Sequence, residues 1–136
     1  MQYLENNLML VSVFIGSGLM LLWSFVGNKI RGIKEVSAVE ALQLINHKDA
    51  VIIDVREQNE FAGGHLLNAK LIPLGDLKAR VGEIEKYREQ PVLVVCRSGN
   101  RSKVGAAQLK LRGFNQAYSL AGGVVAWQKA ELPLEK

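Results

Sequence analysis

The chain opens on a run of apolar positions with almost no polar relief. From Leu8 to Gly27 it reads LMLVSVFIGSGLMLLWSFVG, and no charged side chain occurs from Asn6 to Asn28. At a rise of ~1.5 Å per residue, a helix of this run covers the ~30 Å of bilayer hydrocarbon. Its interior polar groups are Ser12 and Ser17, whose hydroxyls can bond back to helix carbonyls, and Trp23 lies toward one end, where an interfacial ring would sit. The pattern predicts one transmembrane helix spanning about residues 8–27, within an N-terminal segment of residues 1–28. A cleaved signal peptide would need positive charge before the run and small residues at a cleavage site after it. Only Glu5 precedes the run and Gly27-Asn28-Lys29 follows it, so a retained anchor is favoured over a removed signal. A buried core helix is a weak alternative, because a domain of about a hundred residues has little means of covering a helix that is apolar on every face. Lys29, Arg31 and Lys34 crowd the C-terminal flank, which places the remainder of the chain in the cytoplasm.

Beyond a basic juxtamembrane linker over 29–35, the pattern becomes conventionally mixed and predicts a domain over 36–136. Ser37-Ala38-Val39-Glu40 has the spacing of a capping box, with Leu42 and Ile45 following on one helical face, so a helix should run to about Asn46. Ala50 to Val55 is a short apolar, β-branched run of the kind that forms a strand buried on both faces. A Gly63-Gly64 turn, a strand near Ala69 to Ile72 and a helical stretch from Leu74 to Tyr87 follow, then a strand from Pro91 to Val95. The segment Ser102 to Leu111 places Val104, Ala107 and Leu111 on one helical stripe and ends at Arg112-Gly113. A strand near Ala117 to Leu120 and a helix from Val124 to Ala130 complete the series. This alternation predicts an α/β layer structure with a mostly parallel sheet, whose ligands bind beyond the carboxyl ends of the strands.

Composition narrows the function classes. A chain of 136 residues, 49% hydrophobic and 22% charged, supports one ordinary globular domain. The formal charge of +4 comes from bases scattered among acids, without a Lys/Arg block or interleaved aromatics, which excludes nucleic acid as the expected partner. Cys96 is the sole cysteine, so the chain alone builds no internal disulfide and no multi-cysteine zinc site. No metal or other cofactor is expected. A lone thiol persists more safely in a reducing compartment, in keeping with the cytoplasmic orientation.

Cys96 also carries the chemistry. It ends the apolar strand and is followed by Arg97-Ser98-Gly99-Asn100-Arg101-Ser102, a tight polar loop that enters a helix. If the loop curls around the sulfur, successive backbone N–H groups and the positive helix end form an anion cradle. Arg97 and Arg101 add fixed positive charge, and each of these effects favours thiolate over thiol, with no dedicated histidine base required. Gly99 supplies a backbone conformation that so tight a loop needs. A merely structural cysteine at a strand end would gain nothing from this surrounding chemistry.

These blocks resemble, in order, a rhodanese domain over about Val36 to Leu132. Ser37 to Ile45 is similar to that family's first helix, and Asp54-Val55-Arg56-Glu57 with Glu60-Phe61, Gly64-His65, Ala69 and Ile72-Pro73-Leu74 to its second-strand signature. Cys96 to Ser102 is similar to the active loop, and Leu120-Ala121-Gly122-Gly123 with Trp127 to the C-terminal motif. The resemblance implies a rhodanese-like three-layer fold with a mostly parallel five-stranded sheet, preceded here by one transmembrane helix. It implies a thiolate, Cys96, that attacks the outer sulfur of thiosulfate or a persulfide, holds it as a persulfide, and passes it to a thiol or cyanide. Arg97, Ser98, Gly99, Asn100, Arg101 and Ser102 would bind the substrate, with Asp54 and Arg56 supporting. Asp54 can tune the pocket or pair with an arginine, the second being favoured; His65 reads as a turn histidine bonded to backbone, and Trp127 as core. Related folds that carry phosphatases and arsenate reductases resemble C-x5-R in this loop, whereas Cys96 to Arg101 is C-x4-R, a smaller ring suited to a terminal sulfur. The donor would be a small molecule or protein persulfide, the acceptor a thiol, and the membrane a partner through the N-terminal helix. The competing function is a membrane-tethered docking module for membrane-protein partners, a class that often lacks the cysteine.

Overall fold

A computed structural model of the chain describes residues 2–136, with side chains over 5–24 and 32–136. Lys29 and Arg31, on which the expected orientation rests, lie outside the described side chains. The chain divides into two units, residues 1–32 and 33–136.

The first unit is a single helix, α1 (Gln2–Arg31), of which Glu5–Ser24 is long and apolar enough to cross a membrane. Ser12 Oγ donates to the Met9 carbonyl at 2.8 Å and Ser17 Oγ to the Phe14 carbonyl at 3.0 Å, so both hydroxyls are satisfied on their own helix as expected. Leu8, Phe14, Leu19, Met20 and Trp23 all stand exposed along it.

The second unit is built on five parallel strands in the order β1-β6-β5-β2-β4. They are β1 (Lys34–Val36), β2 (Val51–Asp54), β4 (Lys70–Leu71), β5 (Val92–Val95) and β6 (Ala117–Leu120). The period-two alternation of β5 shows why the sheet is covered on both sides. Val92 and Val94 join a core with Ile53, Val55, Ile72, Leu109 and Phe114, while Leu93 and Val95 join another with Val36, Ala41, Ile52, Leu120 and Trp127. Helices α2 (Ala38–Lys48) and α6 (Gly123–Lys129) supply the second core, and α4 (Leu77–Arg80) and α5 (Asn100–Leu111) the first. The parallel sheet is the one anticipated from the strand and helix alternation, and the three-layer, five-stranded arrangement is the one the resemblance implies.

Local detail follows from local chemistry. Ser37 caps α2 through the expected capping box, its Oγ accepting the Glu40 amide at 3.2 Å. Several elements differ from the expectation. Lys34 and Glu35, expected in the linker, form with Val36 an edge strand paired with Tyr118–Leu120. The helix expected from Leu74 to Tyr87 is instead a 3-10 turn (Leu74–Asp76), α4, and a second 3-10 segment (Val81–Tyr87), consistent with the cost of Gly75 and Gly82 inside a longer helix. A short α3 (Gln58–Ala62) and a two-stranded antiparallel ribbon, β3 (His65–Leu66) with β7 (Leu134–Glu135), add to the expected elements.

The expected stripe on α5 is corrected. Val104 and Leu111 are exposed, and the helix meets the sheet through Ser102, Gly105, Ala106 and Leu109. The reason is close approach: a Cβ on Gly105 would lie 3.1 Å from Val94 and 3.4 Å from Val55, so small residues face the strands there, with Leu109 as the large apolar side chain on that face.

Candidate active site

Cys96 follows the last residue of β5, the strand flanked by β2 and β6 at the middle of the sheet. It lies at the carboxyl ends of the strands, beside Asp54, whose register partner on β5 is Val95. Residues 97–99 fold back over it and Gly99, at φ 105°, turns the chain into α5. That φ belongs to the left-handed side of backbone space, where glycine alone is unstrained. A side chain there would also press on the Gly122 amide and the Leu120 carbonyl, 3.3 and 3.5 Å away.

The loop aims its donors at the sulfur. The Gly99 N–H donates to Cys96 Sγ at 3.0 Å, and Ser102 Oγ lies 3.4 Å from the same atom. Burial of Cys96 by itself pushes the thiol pKa up. The Ser102 hydroxyl, then the amides of Ser102, Gly99 and Ser98, outweigh that effect and hold it below the ordinary thiol value. Cys96 is therefore enclosed, 1% exposed and part of the first core, with hydrogen-bond donors of the loop reaching its sulfur.

What turns those amides inward is visible on the other side of the loop. The Val124 N–H donates to the Cys96 carbonyl at 2.9 Å and the Val125 N–H to the Arg97 carbonyl at 3.1 Å. With the carbonyls drawn outward to the start of α6, the loop's N–H groups are left to face the sulfur. This needs the Gly122-Gly123 pair, both at positive φ; a Cβ on Gly123 would collide with the carbonyls of Cys96 and Arg97. The sequence alone places these glycines in a motif without a role.

The two arginines separate. Arg97 is exposed and makes no ion pair among the described residues. Arg101 reaches away to Glu60 on α3, with Nη1 to Oε1 at 2.7 Å and Nη2 to Oε2 at 2.9 Å. That fork holds the Glu60 carboxyl down at about 2, and the attraction between Arg101 and Cys96 is a lesser influence on the guanidinium. The lowering of the Cys96 thiol comes from hydroxyl and amides, whereas the sequence leads us to expect fixed positive charge from Arg97 and Arg101 beside them. Ser98 and Asn100 are set on the loop with Asn100 exposed, and Ser102 is buried beneath it.

Asp54 pairs with an arginine, as favoured. Its carboxylate takes Arg56 Nε at 2.9 and 3.0 Å and Nη2 at 2.8 Å, and Arg56 passes a further bond to the Gly64 carbonyl at 2.8 Å. The pair thus ties down the Gly64 turn rather than the cysteine loop. His65 Nδ1 lies 3.0 Å from the Phe61 carbonyl, its ring stacks on Phe61 at 3.7 Å, and Nε2 is 3.3 Å from Glu135. It is the backbone-bonded turn histidine anticipated, and Trp127, 3% exposed with Nε1 bonded to the Pro133 carbonyl, is core.

Glu60 belongs to a motif that the sequence shows without assigning it a role, and Ser119 is singled out by no sequence signal. Glu60 lies 41 residues from Arg101, and no local pattern joins them. Ser119 looks like one more strand residue until its neighbour across the sheet face, Ser102, is known.

Comparison with known proteins gives a consistent result. Residues 37–130 match the family profile described as Rhodanese-like domain. The uncharacterized protein YibN of Escherichia coli (strain K12) is 38% identical over 103 residues, covering 75% of this chain and 72% of YibN. Thiosulfate sulfurtransferase GlpE of Coxiella burnetii is 37% identical over 95 residues, covering 70% of this chain and 87% of GlpE. Among solved structures, a thiosulfate sulfurtransferase from Pseudomonas aeruginosa superposes with a TM-score of 0.69 at 27% identity, over 79% of this chain and 21% of that one.

Proposed function

The chain belongs to the rhodanese-like sulfurtransferase family, and from that premise we propose that it is a membrane-anchored enzyme moving a sulfane sulfur through Cys96. The observation that carries this is the donor set on one sulfur, with the Gly99 amide at 3.0 Å and the Ser102 hydroxyl at 3.4 Å. Amides and hydroxyls fixed in a dry site favour an anion that ordinary water would have to reorganise to solvate.

In the first half-reaction the Cys96 thiolate attacks the outer sulfur of thiosulfate, or of a persulfide. A new S–S bond forms to Cys96, the donor's own S–S bond breaks, and its electron pair leaves with sulfite or with the donor thiolate. The terminal sulfur of the Cys96 persulfide carries the negative charge inside the amide ring. In the second half-reaction an acceptor thiolate or cyanide attacks that terminal sulfur, and Cys96 departs as thiolate. No proton is needed from a general acid at either step when both leaving groups are stable anions. Arg97, Ser98 and Asn100, on the outer part of the loop, are the groups placed to meet an anionic donor, and Arg97 is the cation among them. Asp54 with Arg56, and Glu60 with Arg101, support the loop's surroundings.

The N-terminal helix is the anchor on this reading. A helix with Leu8, Phe14, Leu19, Met20 and Trp23 exposed forgoes about 1.5–3 kcal/mol of burial for each large apolar side chain if left in water. Hydrocarbon supplies that burial, and its span of 20 residues matches the ~30 Å required. The basic residues Lys29, Arg31 and Lys34 after the span support a cytoplasmic side for the domain. Thiosulfate added to the purified chain should add the mass of about one sulfur atom to Cys96, reversed by thiol reductant. No such adduct, with the protein folded, would replace the enzyme by a docking module. A reporter fused after Lys136 should read as cytoplasmic, and removal of residues 1–28 from the mature protein in cells would identify a signal sequence instead.

A further inference from the structure

A second polar layer lies beneath the sulfur. Ser119 on β6 and Ser102 on α5 are both fully buried, with their hydroxyl oxygens 2.7 Å apart. Ser119 stands opposite Val94 on a strand buried in the sheet, where an unbonded hydroxyl would be costly. Among the described residues its hydroxyl has one hydrogen-bond partner, Ser102 Oγ.

Ser102 Oγ is a junction of three contacts: Cys96 Sγ at 3.4 Å, the Gly99 carbonyl at 3.0 Å and Ser119 Oγ at 2.7 Å. A hydroxyl has one proton and two acceptor sites, so Ser102 cannot donate to the carbonyl and to the sulfur together. While Cys96 is a thiol, its S–H points to Ser102 Oγ and Ser102 donates to Gly99. Once Cys96 is ionised, the same Ser102 proton is wanted by the sulfur, and Ser102 is left with an oxygen that needs a donor. Ser119 is the group that meets that need in both states, its hydroxyl having Ser102 Oγ as its one hydrogen-bond partner among the described residues.

We propose that Ser119 is a positioning residue for sulfur transfer, its hydroxyl donating to Ser102 Oγ so that the Ser102 proton stays on the ionised Cys96 sulfur. This rests on the reading of Cys96 as the reactive thiolate. Hydrogen bonds in series polarise one another, so a donor one step removed strengthens the bond that touches the charge. The arrangement also explains a serine at a strand position where valine would pack: the hydroxyl is retained for its effect two atoms away.

The test is the pH dependence of Cys96 alkylation by iodoacetamide, on the full chain in detergent, with thermal midpoints measured in parallel. Ser119→Ala should raise the apparent thiol pKa by about half a unit, which is about threefold slower alkylation well below that pKa. Ser119→Thr, which keeps the hydroxyl, should restore the native profile, and Ser119→Val, of the same shape without it, should not. The Thr and Val pair decides the matter if Ser119→Ala fails to fold. Equal profiles for Thr and Val, or a lowered midpoint with an unshifted profile, would overturn the role of Ser119 while leaving the thiolate intact. A native chain titrating near the ordinary thiol value of about 8.5 would remove the thiolate reading itself, and the proposal with it.

Discussion

Arg101 lays its guanidinium fork on the Glu60 carboxylate, two parallel bonds of 2.7 and 2.9 Å that join α5 to α3 across 41 residues of sequence. The fork fixes the first turn of α5, one residue before Ser102, and so reaches the sulfur through the helix rather than through its own charge. It also occupies the arginine that the C-x4-R spacing assigns to substrate.

Glu60→Gln should therefore lower the thermal midpoint by a few degrees. Arg101 is 37% exposed, so solvent screening limits the pair to about 0.5–1 kcal/mol. The folded-state value of about 2 against an ordinary 4.5 gives the sign with pH. A depressed carboxylate contributes stability that is present above 4.5 and lost as pH falls toward 2. The difference in midpoint between the native chain and Glu60→Gln should be full near neutral pH and vanish near pH 2, as followed by circular dichroism; a difference independent of pH would contradict the assignment.

Asp54→Ala should be far more damaging than its distance from the sulfur suggests. The side chain of Arg56 is 6% exposed and that of Asp54 is fully buried, so removal of the carboxylate leaves a guanidinium charge uncompensated in the interior. A loss of about 3–5 kcal/mol is expected, measured by urea denaturation. Replacing both partners by apolar residues should recover part of it, and a double variant as unstable as Asp54→Ala would argue against the charge as the cause.

Gly123→Ala tests the outward pull on the loop carbonyls. Its φ of 56° costs an ordinary residue about 1–2 kcal/mol, before the collision with the Cys96 and Arg97 carbonyls. Relief requires α6 to retreat, which frees those carbonyls to rotate inward and displaces the amides. Sulfur loading from thiosulfate should fall by at least about tenfold, the equivalent of 1.4 kcal/mol, with the sheet still folded by circular dichroism. Native loading in the variant would remove α6 from the account of the site.

On α5, the contrast between Leu109 and Leu111 separates the observed face from the expected one. Leu109→Ala should cost about 2–5 kcal/mol, since that side chain is fully buried against the sheet. Leu111→Lys, at 68% exposure, should change stability by no more than about 0.5 kcal/mol.

These positions show how much the sequence could say. The capping box at Ser37 and Glu40, the β5 run and Cys96 with its loop are signals contained within a few consecutive residues, and each is legible. The buried face of α5 is not, because its contact with Val94 and Val55 depends on Gly105 and Ala106, residues whose smallness leaves no apolar period to detect. Edge strand β1 reads as linker because Lys34 and Glu35 are exposed and only Val36 turns inward, so three residues carry no alternation. The pairs Glu60 with Arg101 and Ser102 with Ser119 join positions 41 and 17 residues apart, and only the folded topology brings them together. Within the site, the atoms that touch the sulfur are foreseeable from the loop, whereas the atoms that hold those in place are not.

The near-complete enclosure of Cys96 has a kinetic consequence for the proposed reaction. A sulfur this deeply enclosed should admit donor and acceptor one at a time, the remnant of the first departing before the second enters. Turnover would then alternate strictly between two half-cycles, with parallel lines in double-reciprocal plots. No second thiol exists in the chain to unload the first, so a loaded molecule would keep its cargo until an outside nucleophile arrives.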